Sequence, residues 1–547
     1  MDPLSQWLGY PASHDRVLSM IGIAVHWTIL QYVLGLSFMA FIAKLVYLRT
    51  RDGKWDKIAL TITKGFIIVF AVGAATGTAS EFGLVLLWPN LTEAAGRYIY
   101  FPLYAEVFAF LMEVIFIYMV WVGWRRLSPK THAAIMLLAF LGAWFSAAMI
   151  VSVNSYMVAP TGIHAAFDPY KGWMYGEGYP KIELYVPGSI ASALNVSALR
   201  GLGMQVLGAA GDGSVHVLMP SRIVGRLVYE AWNNYRVNDS VLKLVLSEGY
   251  ANNTALLQTP VKTLVDSILV TTIRHIGVYS VTFKSPVYTA SILHALGSAL
   301  TVSGFTVMAA YALRLLSGKG DEEYRRYART AFKYAAFFTV TAIALQGFVF
   351  GDLMGKAIAH SNPEKFAAME GTTSQHLSIS KLLHTQGLMK MLAYGDPKAM
   401  LPNYDAIPHD ICQCRVAPDP LIKDCRPPIL IHYIYYTKIG LALLLGLYAL
   451  IAAYMVWRKG VASRLVMMLA VPAAVTAQLV SDMGWMTREL GRKPWTIYGV
   501  MTVDVAHTMN PPSTLVAALV ASYLLIILGL LIYAVWRFLW VPGGEVE

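Results

Sequence analysis

Apolar residues in this chain gather into long runs, broken by short charged stretches and by two extended polar segments. A helix that crosses a bilayer needs roughly 20 such residues. Nine runs qualify, at about 19–47, 58–80, 101–123, 132–158, 287–313, 328–351, 429–457, 463–484 and 513–539. Hydrocarbon offers no partner to a backbone N–H or C=O, so each run is expected to be a helix. The predicted fold class is an all-α polytopic membrane protein with nine transmembrane helices and two external polar segments. Helices 1–4 occupy 1–159, an external insert 160–286, helices 5–6 287–351, a second external segment 352–428 and helices 7–9 429–547. The insert mixes strand-like and helical patterns. Its stretch Lys181-Ile-Glu-Leu-Tyr-Val predicts a strand within a small external domain.

Composition agrees. The chain of 547 residues is 56% hydrophobic and only 14% charged, against about a quarter charged for a soluble domain. Net charge is +11. That excess does not point to nucleic acid, because the basic residues sit in short loops between apolar runs. Arg49, Arg51, Lys54 and Lys57 follow run 1; Arg125, Arg126 and Lys130 follow run 3. Arg314, Lys319, Arg325, Arg326 and Arg329 follow run 5, and Arg458, Lys459 and Arg464 follow run 7. With nine spans all four loops share one side, which the positive-inside rule makes cytoplasmic. A plasma-membrane protein with its N-terminus outside and its C-terminus inside is expected, with no cleavable signal peptide. The N-x-S/T triplets at Asn90, Asn195, Asn238 and Asn252 then all fall outside. Cys412, Cys414 and Cys425 lie together in the second polar segment, where one local bridge to Cys425 and free thiols are both open.

Ionisable residues inside the runs are the candidates for function, since a charge in hydrocarbon is costly. His26 in run 1 and His294 near the outer end of run 5 have the chemistry of iron ligands. A lone histidine on an apolar helix is more often a packed, hydrogen-bonded residue, and each is open to that reading when taken alone. Glu106 and Glu113 in run 3 are seven residues apart, nearly two turns, and so face one side of the helix. Such a pair suits a proton path or a metal site, or else two structural acids. At the end of run 8, Trp485, Glu489 and Arg492 are neighbours one turn apart. Arg492 can pair with Glu489 or with a bound carboxylate, or serve as an interfacial anchor.

The stretch Gly484-Trp-x-x-x-Glu-x-Gly-Arg-x-Pro-Trp495 resembles the signature of the large subunit of cytochrome bd-type quinol oxidases, with Lys493 where that family usually has Gln. Other features follow in the family's order: Arg16 and His26, Ala75-Thr-Gly77, Glu81-Phe-Gly83, the run 3 acids, Ser146-Ala147, Asn154, Pro160 and His294. Gly351-Asp352 with Gly355 resembles the start of the family's external quinol loop, and Lys365-Phe-Ala-Ala-Met-Glu370 its paired Lys and Glu. The likeness covers about 10–160 and 285–540.

The resemblance implies two b haems and one haem d, with membrane quinol and dioxygen as substrates. His294 would hold the low-spin haem b. His26 and Glu489 would serve the high-spin haem b and haem d, in an order left open. Glu106 would lie beside or ligate that centre, and Glu113 on the proton route. Lys365 and Glu370 would bind or deprotonate quinol, and Trp485 and Arg492 would stack on or pair with the haems. Quinol oxidation outside and dioxygen reduction with protons from inside would generate proton motive force without a pump.

Three features depart from the family. The acid pair is one residue closer than usual. The insert is far longer than the family's connection. In run 7, Tyr436 and Lys438 stand where an Arg and the low-spin haem's second ligand, a Met, are usual, and no Met occurs between Met400 and Met455. Lys438, if deprotonated, or His432, after a register shift, would replace it, or the site would be five-coordinate or empty. The implied partner is a second membrane subunit, either a small oxidase subunit or, as in archaeal relatives, a related large-subunit homologue. Two alternatives stand beside the oxidase reading: a partly degenerate large subunit that supports an active one, and an ion-coupled transporter.

Overall fold

The spans start where the sequence supplies caps. Asp52, Ser128, Asp321 and Ser463 each accept a hydrogen bond from a backbone N–H in the first turn of spans 2, 4, 6 and 8, which satisfies donors a helix start leaves free. All four caps lie on the face that carries the basic loops. Spans 1, 5 and 7 end on that face with Arg49, Arg314, and Arg458 with Lys459 in their last turns, where cations complement the carbonyl end of the helix.

The computed structural model describes residues 14–186, 188–191, 196–201, 203–224, 284–409, 411, 424–506 and 513–539. Among the described residues are nine helices long and apolar enough to cross a membrane: Val17–Thr50, Gly53–Leu87, Tyr100–Gly123, Pro129–Val158, Tyr288–Leu316, Glu322–Ser361, Leu430–Lys459, Arg464–Leu490 and Thr514–Ala534. The polytopic helical fold is therefore as expected. Span 6 is longer than its apolar run. It passes through a π-helical turn at Gln346–Phe350 and continues as Gly351–Ser361. It ends only where Asn362 and Pro363 begin the next helix, Pro363–Glu370.

Spans 1 and 5 are the most buried of the bundle, with span 5 packed against spans 1, 4, 6 and 8. Small residues set the close crossings, as is usual between membrane helices. A Cβ on Gly35 of span 1 would collide with Ser303 and with the Ala299 carbonyl of span 5; one on Gly304 would come within 2.5 Å of Thr339 Oγ1 on span 6. Span 3, by contrast, presents Tyr104, Phe108, Leu111, Ile115 and Tyr118 outward, as a lipid-facing helix would.

The first polar segment contains β structure in an otherwise helical chain. Strands β1 (Ile163–His164), β4 (Lys181–Val186), β5 (Gln205–Ala209) and β6 (Val215–Pro220) form an antiparallel sheet in the order β1-β4-β6-β5, and β2 (Phe167–Asp168) pairs with β3 (Gly172–Trp173). The strand expected at Lys181–Val186 is present. This unit rests on the second polar segment: Met400 N–H donates to the Pro169 carbonyl at 2.8 Å, and Trp173 Nε1 to the Asn403 carbonyl at 3.0 Å. After span 8, β7 (Trp495–Ile497) and β8 (Met501–Thr502) form a hairpin held to the end of span 4 by Tyr498 N–H on the Met157 carbonyl at 3.0 Å. Cys425 is disulfide-bonded. Cys412, Cys414, Asn195, Asn238, Asn252 and the side chains of Arg16 and Asn90 lie outside the described residues.

The crossing of spans 1 and 5 yields a direct test. Gly35→Val should destabilise the detergent-solubilised protein by about 1–3 kcal/mol, because the obstacle is backbone that cannot rotate away. Gly440→Ala, with open space around the added methyl, should change stability by no more than about 0.5 kcal/mol. Thermal unfolding of both variants checks the contrast.

Candidate functional site

Span 8 ends in the residues that organise the site. Arg488 reaches across to two other spans: Nε donates to Asn154 Oδ1, Nη2 to Ser155 Oγ at 3.2 Å and Nη1 to Ser291 Oγ at 2.9 Å. Asn154 in turn donates from Nδ2 to Glu489 Oε1 at 2.8 Å, and Arg492 Nη2 donates to Glu489 Oε2 at 2.7 Å. The Glu489 carboxylate is thus oriented from both sides. Arg492 is 4% exposed, yet its Nε and Nη1 have no hydrogen-bond partner. A buried guanidinium with two nitrogens lacking partners has donors open to a further acceptor such as a carboxylate.

One turn before Glu489, Trp485 stacks on Trp27 of span 1, ring centroids 4.5 Å apart. Trp27 Nε1 and Ser298 Oγ both donate to Ser481 Oγ, at 3.2 and 2.9 Å. The neighbouring His26 has Nδ1 3.2 Å from Thr76 Oγ1, and Gly77 leaves room for its ring, since a Cβ there would lie 3.0 Å from Cε1.

His294 lies against the π-helical turn of span 6. Its ring hydrogen-bonds the Phe350 carbonyl, and the Gln346 amide nitrogen lies 3.2 Å from Nδ1 and 3.4 Å from Nε2. Gly297, one turn on, has no Cβ to obstruct Gln346 and Phe350. The nearby cations are Lys438 and Arg488. Lys438 runs past Gly484, its Cδ 3.7 Å from where a Cβ would be, and its Nζ lies 4.8 Å from the centre of the Tyr435 ring.

The run 3 acids are joined by a third. Ser146 Oγ donates to Glu106 Oε1 at 3.0 Å, and Glu81 of span 2 also hydrogen-bonds Glu106. Glu113 is 4% exposed, packs against Gly142 of span 4, and its Oε1 has no partner.

Beyond the spans, Lys365 and Glu370 lie on the short helix Pro363–Glu370, exposed by only 2% and 1%. Lys365 Nζ donates to the Arg488 carbonyl at 3.1 Å. Burial, reinforced by the charge of Arg488, pushes its amine well below the usual lysine range. Glu370 accepts from Tyr436 OH at 2.9 Å and also from Tyr435. Burial raises its carboxyl to about 7, against the opposing hydrogen bonds of Tyr436 and Tyr435 and the charge of Lys438.

The family model for cytochrome bd terminal oxidase subunit I matches residues 15–175 and 253–541, most of the chain. The chain belongs to that family. The unmatched stretch, 176–252, falls within the insert, so the β unit is largely an addition to the subunit I pattern. Among curated proteins the chain is similar to the "Putative cytochrome bd menaquinol oxidase subunit I" of Bacillus subtilis, 32% identical over 128 residues, 23% of this chain and 29% of that protein. It is also similar to the "Cytochrome bd ubiquinol oxidase subunit 1" of Bacillus subtilis, 35% over 138 residues, 25% and 30% of the two chains. A third is the "Cytochrome bd-II ubiquinol oxidase subunit 1" of Escherichia coli, 31% over 144 residues, 26% and 28%. The matched stretches thus span under a third of these relatives' lengths. Among solved structures, the bd oxidase from Geobacillus thermodenitrificans matches with TM-score 0.65 at 21% identity, over 96% of this chain and 97% of that one, which shows the same fold.

Within this subunit I, His432 has no free nitrogen. Nδ1–H donates to the Met369 carbonyl at 2.9 Å, and Nε2 accepts the Ile379 N–H at 2.9 Å. Gly371 at φ +60° makes this close approach possible, since a Cβ there would lie 2.6 Å from the ring. The expectation that His432 could serve as an iron ligand therefore gives way to a structural role, tying span 7 to residues 369–379. Reasoning from sequence passed over Gln346, because an amide near a span end reads as interface. The π turn that aims it had no local signal.

Replacing His432 with Ala would strand the Met369 carbonyl and the Ile379 N–H, at about 1–3 kcal/mol for each buried group left unpaired. We expect a lower melting temperature and faster hydrogen exchange in 369–382, with the surroundings of His294 unchanged. Exchange mass spectrometry on the solubilised protein distinguishes this from a ligand role.

Proposed function

We propose that this chain is the quinol-oxidising, dioxygen-reducing subunit of a bd-type terminal oxidase, acting with a second membrane subunit. The observation that carries the reading is the stack of Trp27 on Trp485, which ties span 1, at the residue after His26, to span 8 one turn before Glu489 and close to Arg492, whose Nε and Nη1 have no hydrogen-bond partner. These residues fit a haem. His26 and Glu489 offer axial ligands to the high-spin pair of haem b and haem d, and the open donors of Arg492 suit a propionate. His294 would hold the low-spin haem b, its ring held by the Phe350 carbonyl as ligating histidines usually are. Lys438, as the neutral amine, is the better candidate than His432 for the second ligand, because both nitrogens of His432 are occupied. When bound, the haems supply the one-electron steps between quinol and dioxygen.

The protein's own work is to bind quinol and move protons. Lys365 and Glu370 sit where the second polar segment meets spans 7 and 8, with Glu370 a ready acceptor for a quinol hydroxyl proton. Glu106, bridged to Glu81 and Ser146, would lie beside the dihaem centre. Glu113, with an unpartnered oxygen, carries protons toward it along span 3. With the basic loops in the cytoplasm, quinol protons leave outside and the protons for water enter from inside, so charge separates without a pump. The N-terminus is then outside and the C-terminus cytoplasmic, in the plasma membrane.

The test uses the assembled, haem-loaded complex. Reduced quinol should drive oxygen uptake, and Lys365→Met or Glu370→Gln should slow it by about a hundredfold, the scale for losing a positioned acid or base. No quinol-driven uptake by the loaded wild-type complex would defeat the reading. The sign of the pH dependence follows from Glu370. Its carboxyl is raised to about 7, so below that pH it is protonated and cannot accept. Quinol oxidation should therefore rise as pH passes through 7 and level off above it, a limb that Glu370→Gln should abolish.

A further inference from the structure

The residue before Lys365 is Glu364, 2% exposed, and its partners are two tyrosines brought from different parts of the chain. Tyr498 OH donates to Oε2 at 2.5 Å, and Tyr175 OH to Oε1 at 3.2 Å. Tyr498 belongs to the β7–β8 hairpin after span 8 and is 2% exposed. Tyr175 belongs to the insert, is partly exposed, and stacks on Trp173 with centroids 5.0 Å apart. The carboxylate therefore lies between the hydroxyl of a buried tyrosine and that of a partly exposed one, and directly beside Lys365 in sequence.

We propose that Glu364, with Tyr175 and Tyr498, is the route by which protons released from quinol leave the Lys365 pocket for the solvent, so that the insert completes the exit. This rests on the oxidase reading above. In the step, a proton held at Lys365 or Glu370 passes by way of water to a Glu364 oxygen, the donor's N–H or O–H bond breaking as the Glu364 O–H bond forms. Tyr175 oxygen then accepts that proton as its own hydroxyl proton goes to water, and both groups return to their starting states. No electron is transferred in the relay. Burial pushes the Glu364 carboxyl above the usual carboxylate range, with the tyrosine hydrogen bonds opposing. Its partners are neutral hydroxyls rather than a cation, so a proton can be taken up and released without breaking an ion pair. Tyr175 lies within the stretch that the family model covers, whereas most of the sheet behind it does not.

A merely structural lock predicts something different. Glutamine keeps both hydrogen bonds, because its oxygen accepts from one tyrosine and its amide donates to the other's oxygen, yet it cannot carry the proton. In the haem-loaded complex, Glu364→Gln should slow quinol-driven oxygen uptake by at least about tenfold. It should also enlarge the solvent deuterium effect on turnover, and leave haem content, quinol KM and uptake driven by a soluble reductant unchanged. Glu364→Asp should restore part of the rate. Wild-type turnover and an unchanged isotope effect in a fully loaded Glu364→Gln complex would overturn the proposal. If that variant fails to assemble, Tyr175→Phe decides, since it removes one hydroxyl and leaves the Tyr498 bond in place. A slowed rate with a larger isotope effect supports the relay, and a wild-type rate ends it. Lys365→Met separates the two levels: if it slows quinol oxidation while Glu364→Gln does not, the relay alone fails. If the loaded wild type oxidises no quinol, both readings fall.

Discussion

Hydrocarbon offers no partner to a charge, and the architecture of this protein follows from that constraint. The ionisable groups near the end of span 8 find partners on neighbouring helices or one turn away on their own. The Arg488 guanidinium is the clearest case. Its three donors reach spans 4 and 5, and Asn154, which it holds, orients Glu489. One side chain thereby fixes the position of three helices and the angle of a candidate ligand. Arg492, bonded to Glu489 through Nη2, keeps Nε and Nη1 without a partner although it is buried.

The same constraint shapes the boundary between membrane and polar segments. Span 6 does not stop where its apolar run does, and the π turn at Gln346–Phe350 lies beside His294. Single π turns recur at functional sites because they redirect side chains without breaking the helix. Beyond it, Lys365 and Glu370 are buried in protein rather than lipid, so their protonation is set by neighbouring tyrosines, cations and desolvation together. His432 closes this layer by bonding both of its nitrogens to the loop.

Much of this was legible along the chain. Hydropathy alone locates the nine spans, and the ordered acids, histidines and the span 8 motif point to the family. The strand at Lys181–Val186 was visible from its alternation, but the sheet around it was not, because its partners β1 and β6 lie far from it in sequence. The fate of His432 was hidden for the same reason: its two partners lie 63 and 53 residues away. Glu364 was passed over because a glutamate beside a lysine in a polar segment reads as solvated, and only the fold buries it under Tyr175 and Tyr498.

The central claim is that His26, His294 and Glu489 belong to a haem-bearing subunit rather than to a degenerate partner. A reduced-minus-oxidised optical spectrum with haem extraction, on the purified complex, addresses it most directly. The account predicts a haem d band together with two b-type haems assigned to this chain. A single haem, or none, would contradict it.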